Sequence, residues 1–165
     1  MIERALLSAA ATAVVVAVSA CGSSSPATTS FGSAATTPVP ATATVAVGTV
    51  APLGQFLVDA SGRSLYLFEA DTGSASTCTA ACAQTWQPLT TGGPPQVSTG
   101  ATQSLLGTTM RTDGTTQVTY NKHPLYYFAG DNKPGDVTGE GNTSFGAGWD
   151  VVSPAGAKIE KPGGS

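Results

Sequence analysis

The sequence predicts a mostly β fold: two pseudo-symmetric antiparallel β-meander repeats packed as one small domain, with one short helix near a cysteine pair. Three observations carry this. The run Arg63-Ser64-Leu65-Tyr66-Leu67-Phe68-Glu69-Ala70-Asp71 aligns without gaps on His123-Pro124-Leu125-Tyr126-Tyr127-Phe128-Ala129-Gly130-Asp131, an offset of 60 residues that also pairs Val58 with Val118. Each copy then reaches a tryptophan, Trp86 and Trp149. Identity at Leu, Tyr, Phe and Asp in one ungapped window marks two copies of one supersecondary unit, neither of which can bury its apolar face alone. Around both runs apolar and polar residues alternate with period two, and turn residues recur at short intervals, as in half-buried strands.

In the second copy, strands are predicted over residues 106–112, 115–120 and 124–128, with Pro124 at a strand start. Asp113-Gly114 suits a tight primed hairpin turn, and Asn121-Lys122 lies at the next reversal. The first copy places strands over 45–51, 55–59 and 64–68, with Ala60-Ser61-Gly62 as the second turn and Pro52 and Gly54 breaking the first. Only residues 77–86 read as helical, with Thr77 as N-cap before Cys78 and a run of alanines. Residues 139–148 read as a loop.

The chain before this domain has a different character. Arg4 precedes an apolar run over residues 5–17, about the length of the hydrophobic region of a signal peptide and shorter than the about 20 residues a spanning helix needs. Val18-Ser19-Ala20-Cys21 follows, the small-residue setting in which a bacterial lipoprotein is cleaved and acylated on cysteine. The segments are therefore a signal peptide over 1–20, an acylated Cys21 with a Ser/Thr/Ala/Pro linker over 21–43, a two-repeat domain over 44–157 and a tail over 158–165. The repeats run about 45–90 and 105–153. The linker has too little apolar surface to order itself, and its Thr, Ser and Pro content also suits an O-glycosylated stalk. With Cys21 acylated, Cys78 and Cys82 remain in an oxidising compartment and pair as a disulfide.

Seven basic and 10 acidic residues give a net charge of −3, unchanged when Glu3 and Arg4 leave with the signal peptide. The basic residues are scattered among acids and form no phosphate-binding face, so nucleic acid is excluded as a partner. His123, the single histidine, excludes multi-histidine metal cages within one chain. Only a soft-metal site of His123 with Met110 or the reduced Cys78-Cys82 pair is conceivable. Asp131, Asp136, Glu140 and Asn142 supply hard oxygen ligands, but their spacing fails the calcium-loop pattern. The Cys-x-x-x-Cys spacing matches neither a thioredoxin-like pair nor a haem attachment site, and no activated serine elbow is present. Neither a catalytic residue nor a cofactor is expected.

Tyr66 and Phe68 lie two apart on one strand and face one way, as do Tyr126 and Phe128, while Leu65, Leu67, Leu125 and Tyr127 face the other. The expected role is a core where two related sheets meet. A shared aromatic surface for a glycan or another flat ligand, with the tyrosine hydroxyls as polar handles, is the alternative; a glycan-active enzyme would further require an open groove lined by Tyr66 or Tyr126 with two carboxylates facing each other. Asp71 and Asp131 each follow their phenylalanine by three residues, where aspartate commonly accepts hydrogen bonds from turn amides.

The runs Tyr66-Leu67-Phe68-Glu69-Ala70-Asp71 and Tyr126-Tyr127-Phe128-Ala129-Gly130-Asp131 resemble the Tyr-x-[Phe/Trp/Tyr]-x-x-Asp signature of secreted-repeat bacterial lipoproteins. Cys78-Thr79-Ala80-Ala81-Cys82, Trp86-Gln87-Pro88-Leu89 and Gly135-Asp136-Val137-Thr138-Gly139-Glu140-Gly141 extend the resemblance over about residues 50–155, and Gln87 departs from the more usual proline. The resemblance implies a lipoprotein of the envelope with tandem β repeats and carries no catalytic role onto any residue. The expectation is a module lipid-anchored through Cys21 on the extracytoplasmic face, binding an envelope ligand or protein or acting structurally. A metal or redox accessory protein and a glycan-binding or glycan-active protein are the alternatives.

Overall fold

The computed structural model describes residues 41–160. The predicted signal peptide, Cys21, the linker up to residue 40 and the last five residues of the tail lie outside the described residues.

Strand β1 (Thr44–Val50) and strand β2 (Gly54–Asp59) form an antiparallel hairpin, with Val45 opposite Asp59 and Val50 opposite Gly54. Next come β3 (Tyr66–Phe68), the single helical turn α1 (Ala81–Thr85), β4 (Trp86–Pro88) and β5 (Gln96–Val97), which adds to β1 in parallel. The second copy supplies β6 (Leu106–Met110), β7 (Thr116–Tyr120), β8 (His123–Pro124), β9 (Tyr126–Phe128) and β10 (Trp149–Val151). The fold is thus mostly β, with two related units and one helix beside the Cys78–Cys82 disulfide.

Each copy begins as the expected meander, but its third strand bends out of it. In the first copy Ser64 bridges Val58 and Leu65 donates its N–H to the Leu57 carbonyl before β3 turns away. In the second, β8 pairs with β7 and β9 departs in the same manner. The departing strands meet at the centre of a four-stranded antiparallel sheet ordered β10-β3-β9-β4, where Tyr66 stands opposite Tyr126. The outer strands are exchanged. Copy-one β4 pairs with copy-two β9, and copy-two β10 pairs with copy-one β3, in equivalent registers that set Trp86 opposite Phe128 and Trp149 opposite Phe68.

Three local expectations are corrected. The 60-residue offset fails before the repeat motif, because the 60–62 turn is one residue longer than Asn121-Lys122. Leu65 N–H bonds the Leu57 carbonyl and Leu125 N–H bonds that of Val118, so Val118 takes the place of Leu57 and not of Val58. Asp113-Gly114 lies in a three-residue loop closed by Arg111 N–H on the Thr115 carbonyl, with Gly114 at φ +82°, the other common hairpin solution. The helix has five residues in place of ten. Ala80 precedes it at φ 50°, and Thr77 does not cap it because its N–H and hydroxyl both serve Asp71.

The central sheet is buried on both faces. Leu65, Leu67 and Leu125 join Val45, Leu57, Val118 and Val152 on one side. On the other, Tyr66, Phe68 and Tyr126 join Trp86, Trp149, Val151 and the disulfide. The chain remains docked just past residue 157, as Lys158 bridges Val152 and Ile159 N–H bonds the Val151 carbonyl.

Candidate functional site

Four rings stack through the aromatic face in the order Phe68, Trp149, Trp86, Phe128, with centroid separations of 4.1, 4.0 and 4.4 Å. The strand exchange dictates this order, because it brings each tryptophan beside the other copy's phenylalanine. Tyr66 meets Trp86 edge-on at 5.3 Å and Tyr126 meets Trp149 at 5.2 Å, the geometry aromatic quadrupoles favour. Both indole N–H groups end on one residue: Trp86 Nε1 donates to Ser144 Oγ and Trp149 Nε1 to the Ser144 carbonyl.

The tyrosine hydroxyls cross between copies. Tyr66 donates to Asp131 Oδ2 at 2.7 Å, and Tyr126 donates to Asp71 Oδ2 at 2.5 Å. The second oxygen of each aspartate takes a threonine from its own loop: Thr77 N–H and hydroxyl on Asp71 Oδ1, Thr138 N–H and hydroxyl on Asp131 Oδ1. Burial, and after it the facing carboxylate, pushes both phenols well above the ordinary tyrosine range, so they remain donors.

The copies differ in what surrounds this crossing. Beside Tyr126 lies Arg111, only 7% exposed, whose Nη1 reaches Ser76 Oγ and Gln117 Oε1 and whose Nη2 reaches the Cys78 carbonyl, each at 2.7 Å. Ser76 accepts from Arg111 and lies 2.7 Å from the Tyr126 hydroxyl, which itself donates to Asp71, so one directed chain runs from arginine to aspartate. Gln117 completes the set by donating to the Leu125 carbonyl. Sequence reasoning placed Arg111 among scattered surface charges and missed this role. The available signal was its place just before the Asp113-Gly114 turn of a strand whose partner carries Gln117.

The weaker candidates are not brought together. Met110 pairs with Thr116 at one end of β7 and His123 with Tyr120 at the other, about 13 Å apart along the strand, and the cysteines are oxidised to a disulfide with Cα atoms 5.2 Å apart. In the Gly-rich loop, Asp136 Oδ2 accepts from Asn132 and Lys133 N–H, Glu140 Oε2 from Val151 N–H and Asn142 Oδ1 from Ser144 N–H. These oxygens serve the chain's own backbone rather than one point. The glycan reading is corrected as well: Tyr66 and Tyr126 are fully buried, so neither ring lines an open groove.

A further polar pair marks the opposite face. Tyr127 donates to Asp59 Oδ2 at 2.9 Å, with the Arg63 guanidinium 4.1 Å over its ring. Burial alone would raise the Asp59 carboxyl, but the Ser61 hydroxyl, Arg63 N–H, Tyr127 hydroxyl and Ser61 N–H outweigh it and hold Asp59 below its ordinary value. Asp150 is driven the other way, first by burial and then by the negative charge of Glu69.

These features define a disulfide-stapled tandem-repeat β protein in which the repeat signature joins one copy to the other. The chain belongs to the family described as a secreted repeat of unknown function, whose profile matches residues 49–90 and 107–153, just over half of its length. Membership makes it a secreted protein. Neither a curated protein nor a solved structure matches the chain. Among the described residues no helix is long and apolar enough to cross a membrane.

Proposed function

We propose that this is a lipid-anchored protein of the bacterial envelope, held to the membrane through Cys21 and working on the extracytoplasmic face as a non-catalytic binding or structural module. The observation that carries the non-catalytic half is where the signature side chains go. Tyr66, Phe68 and Asp71 each contact the second copy, and Tyr126, Phe128 and Asp131 each contact the first. A motif consumed in joining two halves specifies a scaffold, and recognition then falls to residues around it. The Cys78–Cys82 disulfide and the secreted family support the compartment.

The anchor rests on Val18-Ser19-Ala20-Cys21. Two long acyl chains hold a protein firmly where one binds only marginally, so a diacylated Cys21 would suffice without a spanning segment. Fractionation of cells carrying Cys21→Ser tests it. The parent sediments with membranes and the variant does not; a variant that stays with the membrane overturns the lipid anchor. The partner is an envelope ligand or protein still to be identified by capture from envelope extract.

A further inference from the structure

The pseudo-symmetry exposes one place where the halves are not equivalent. Arg63 and His123 occupy the same position, two residues before the leucine of the repeat motif, and Tyr127 and Leu67 occupy the same position within it. In one half the motif position carries a phenol, stacked under Arg63 and bonded through its hydroxyl to Asp59. In the other half Leu67 has no ring to offer. A cavity of about 420 Å³ lies there, lined by Leu67, Glu69, Asp71, Asn121, His123 and Lys158, against one of about 280 Å³ beside Tyr127 and Asp59 in the half that carries the phenol. His123 Nδ1 is buried at this place and has no hydrogen-bond partner among the described residues.

We infer that this cavity is a binding site for a small neutral phenol, whose ring takes the place that Tyr127 fills in the other half and whose hydroxyl bonds His123 Nδ1. Four arguments lead to that class. The volume lies within the range of about 300 to 1,000 Å³ usual for small-molecule pockets. Leu67, Gly156 and, at the rim, Ala157 supply apolar wall for a ring. A hydroxyl can donate or accept, so it satisfies Nδ1 in either imidazole tautomer. The rim favours a neutral ligand, because Lys158 Nζ is already held by Glu69 at 2.7 Å and Glu160 at 3.0 Å, and Asn121 Nδ2 is occupied by the Gly156 carbonyl. This site deepens the binding half of the function proposed above and rests on it.

The test is a titration of the purified full chain with 4-methylphenol, read on the ¹H–¹⁵N resonances of the single imidazole, with toluene as the ring lacking a hydroxyl. Saturable shifts of His123 are expected, with toluene about tenfold weaker, the worth of one hydrogen bond. Leu67→Tyr should fill the space and abolish the response in a folded protein. Ala157→Trp, at the exposed rim, provides the same block should Leu67→Tyr fail to fold. Absence of saturable shifts up to the solubility of the phenol, or an undiminished response in a folded blocked variant, overturns the site. Either result leaves the Cys21 fractionation untouched, so failure of the site and failure of the anchor are distinguishable.

Discussion

Trp86 and Trp149 lie face to face, 4.0 Å between ring centroids and 4° between planes, each brought there by pairing with the other copy's inner strand. Ser144 fastens both indole nitrogens, so a loop of the second copy closes the seam that both copies form. The two repeats are therefore interlaced and not stacked side by side. An isolated copy would hold an inner strand without its outer neighbour and a tryptophan without its phenylalanine.

Cutting the chain between the copies tests this interlacing. Fragments ending at Thr102 and beginning at Gln103 should each be unfolded alone, with collapsed amide dispersion and no near-ultraviolet tryptophan signal. Mixed, they should regain both, because the pairings β3–β10 and β4–β9 each span the cut. A fragment that folds alone as a monomer would contradict the exchange.

The crossed hydroxyls should differ in worth. Asp71 is 3% exposed, whereas Asp131 is half-buried and its loop is open to water. Removing the donor from a buried carboxylate leaves one of its oxygens without a partner, while water can replace a donor at a wetter one. Tyr126→Phe should cost about 2 to 3 kcal/mol and Tyr66→Phe about 1 kcal/mol, measured by urea denaturation. Equal losses would show that burial of the aspartates does not set the cost.

Much of this was legible locally. The repeat, the strand periodicity, the Asn121-Lys122 reversal and the cysteine pair are written in short windows, where side-chain alternation and turn chemistry decide the outcome. The exchange was not, because nothing near Trp86 says whether its strand prefers Phe68 or Phe128; that choice is made by long-range register. Thr77 shows the same limit. It looked like a helix cap, yet Thr138, seven residues after Asp131 where Thr77 is six after Asp71, makes the same bonds, and the two together mark the aspartate as the true acceptor. The third strands misled for a related reason: period two continues smoothly through Ser64 to Phe68, although the chain changes partners midway.

Arg111 should prove irreplaceable by another cation. Its planar fork reaches Ser76, Gln117 and the Cys78 carbonyl together, and a lysine ammonium cannot span three such points. Arg111→Ala should cost about 3 kcal/mol, the scale for opening a buried charged network, and Arg111→Lys should recover less than half of it. Near-complete recovery by lysine in thermal and urea melts would show that charge alone is needed there.

Two carboxylates give pH effects of opposite sign. Asp59 is held below its ordinary 3.8, so the folded state favours its charged form; its contribution is present above that pH and disappears as pH falls through the lowered value. Asp150 is raised above 3.8, so its favourable, protonated state is fully present below that pH and is lost as pH rises through the raised value. Asp59→Asn should therefore destabilise at pH 7 by about 1 kcal/mol, a figure already reduced for solvent screening, and the loss should shrink as pH falls below 3.8. Asp150→Asn should stabilise at pH 7 by less than about 1 kcal/mol, again allowing for screening, with the gain vanishing in acid. Urea midpoints from pH 3 to 8 distinguish the two, and a gain from Asp150→Asn that persists undiminished at pH 3 would assign it to packing instead of charge.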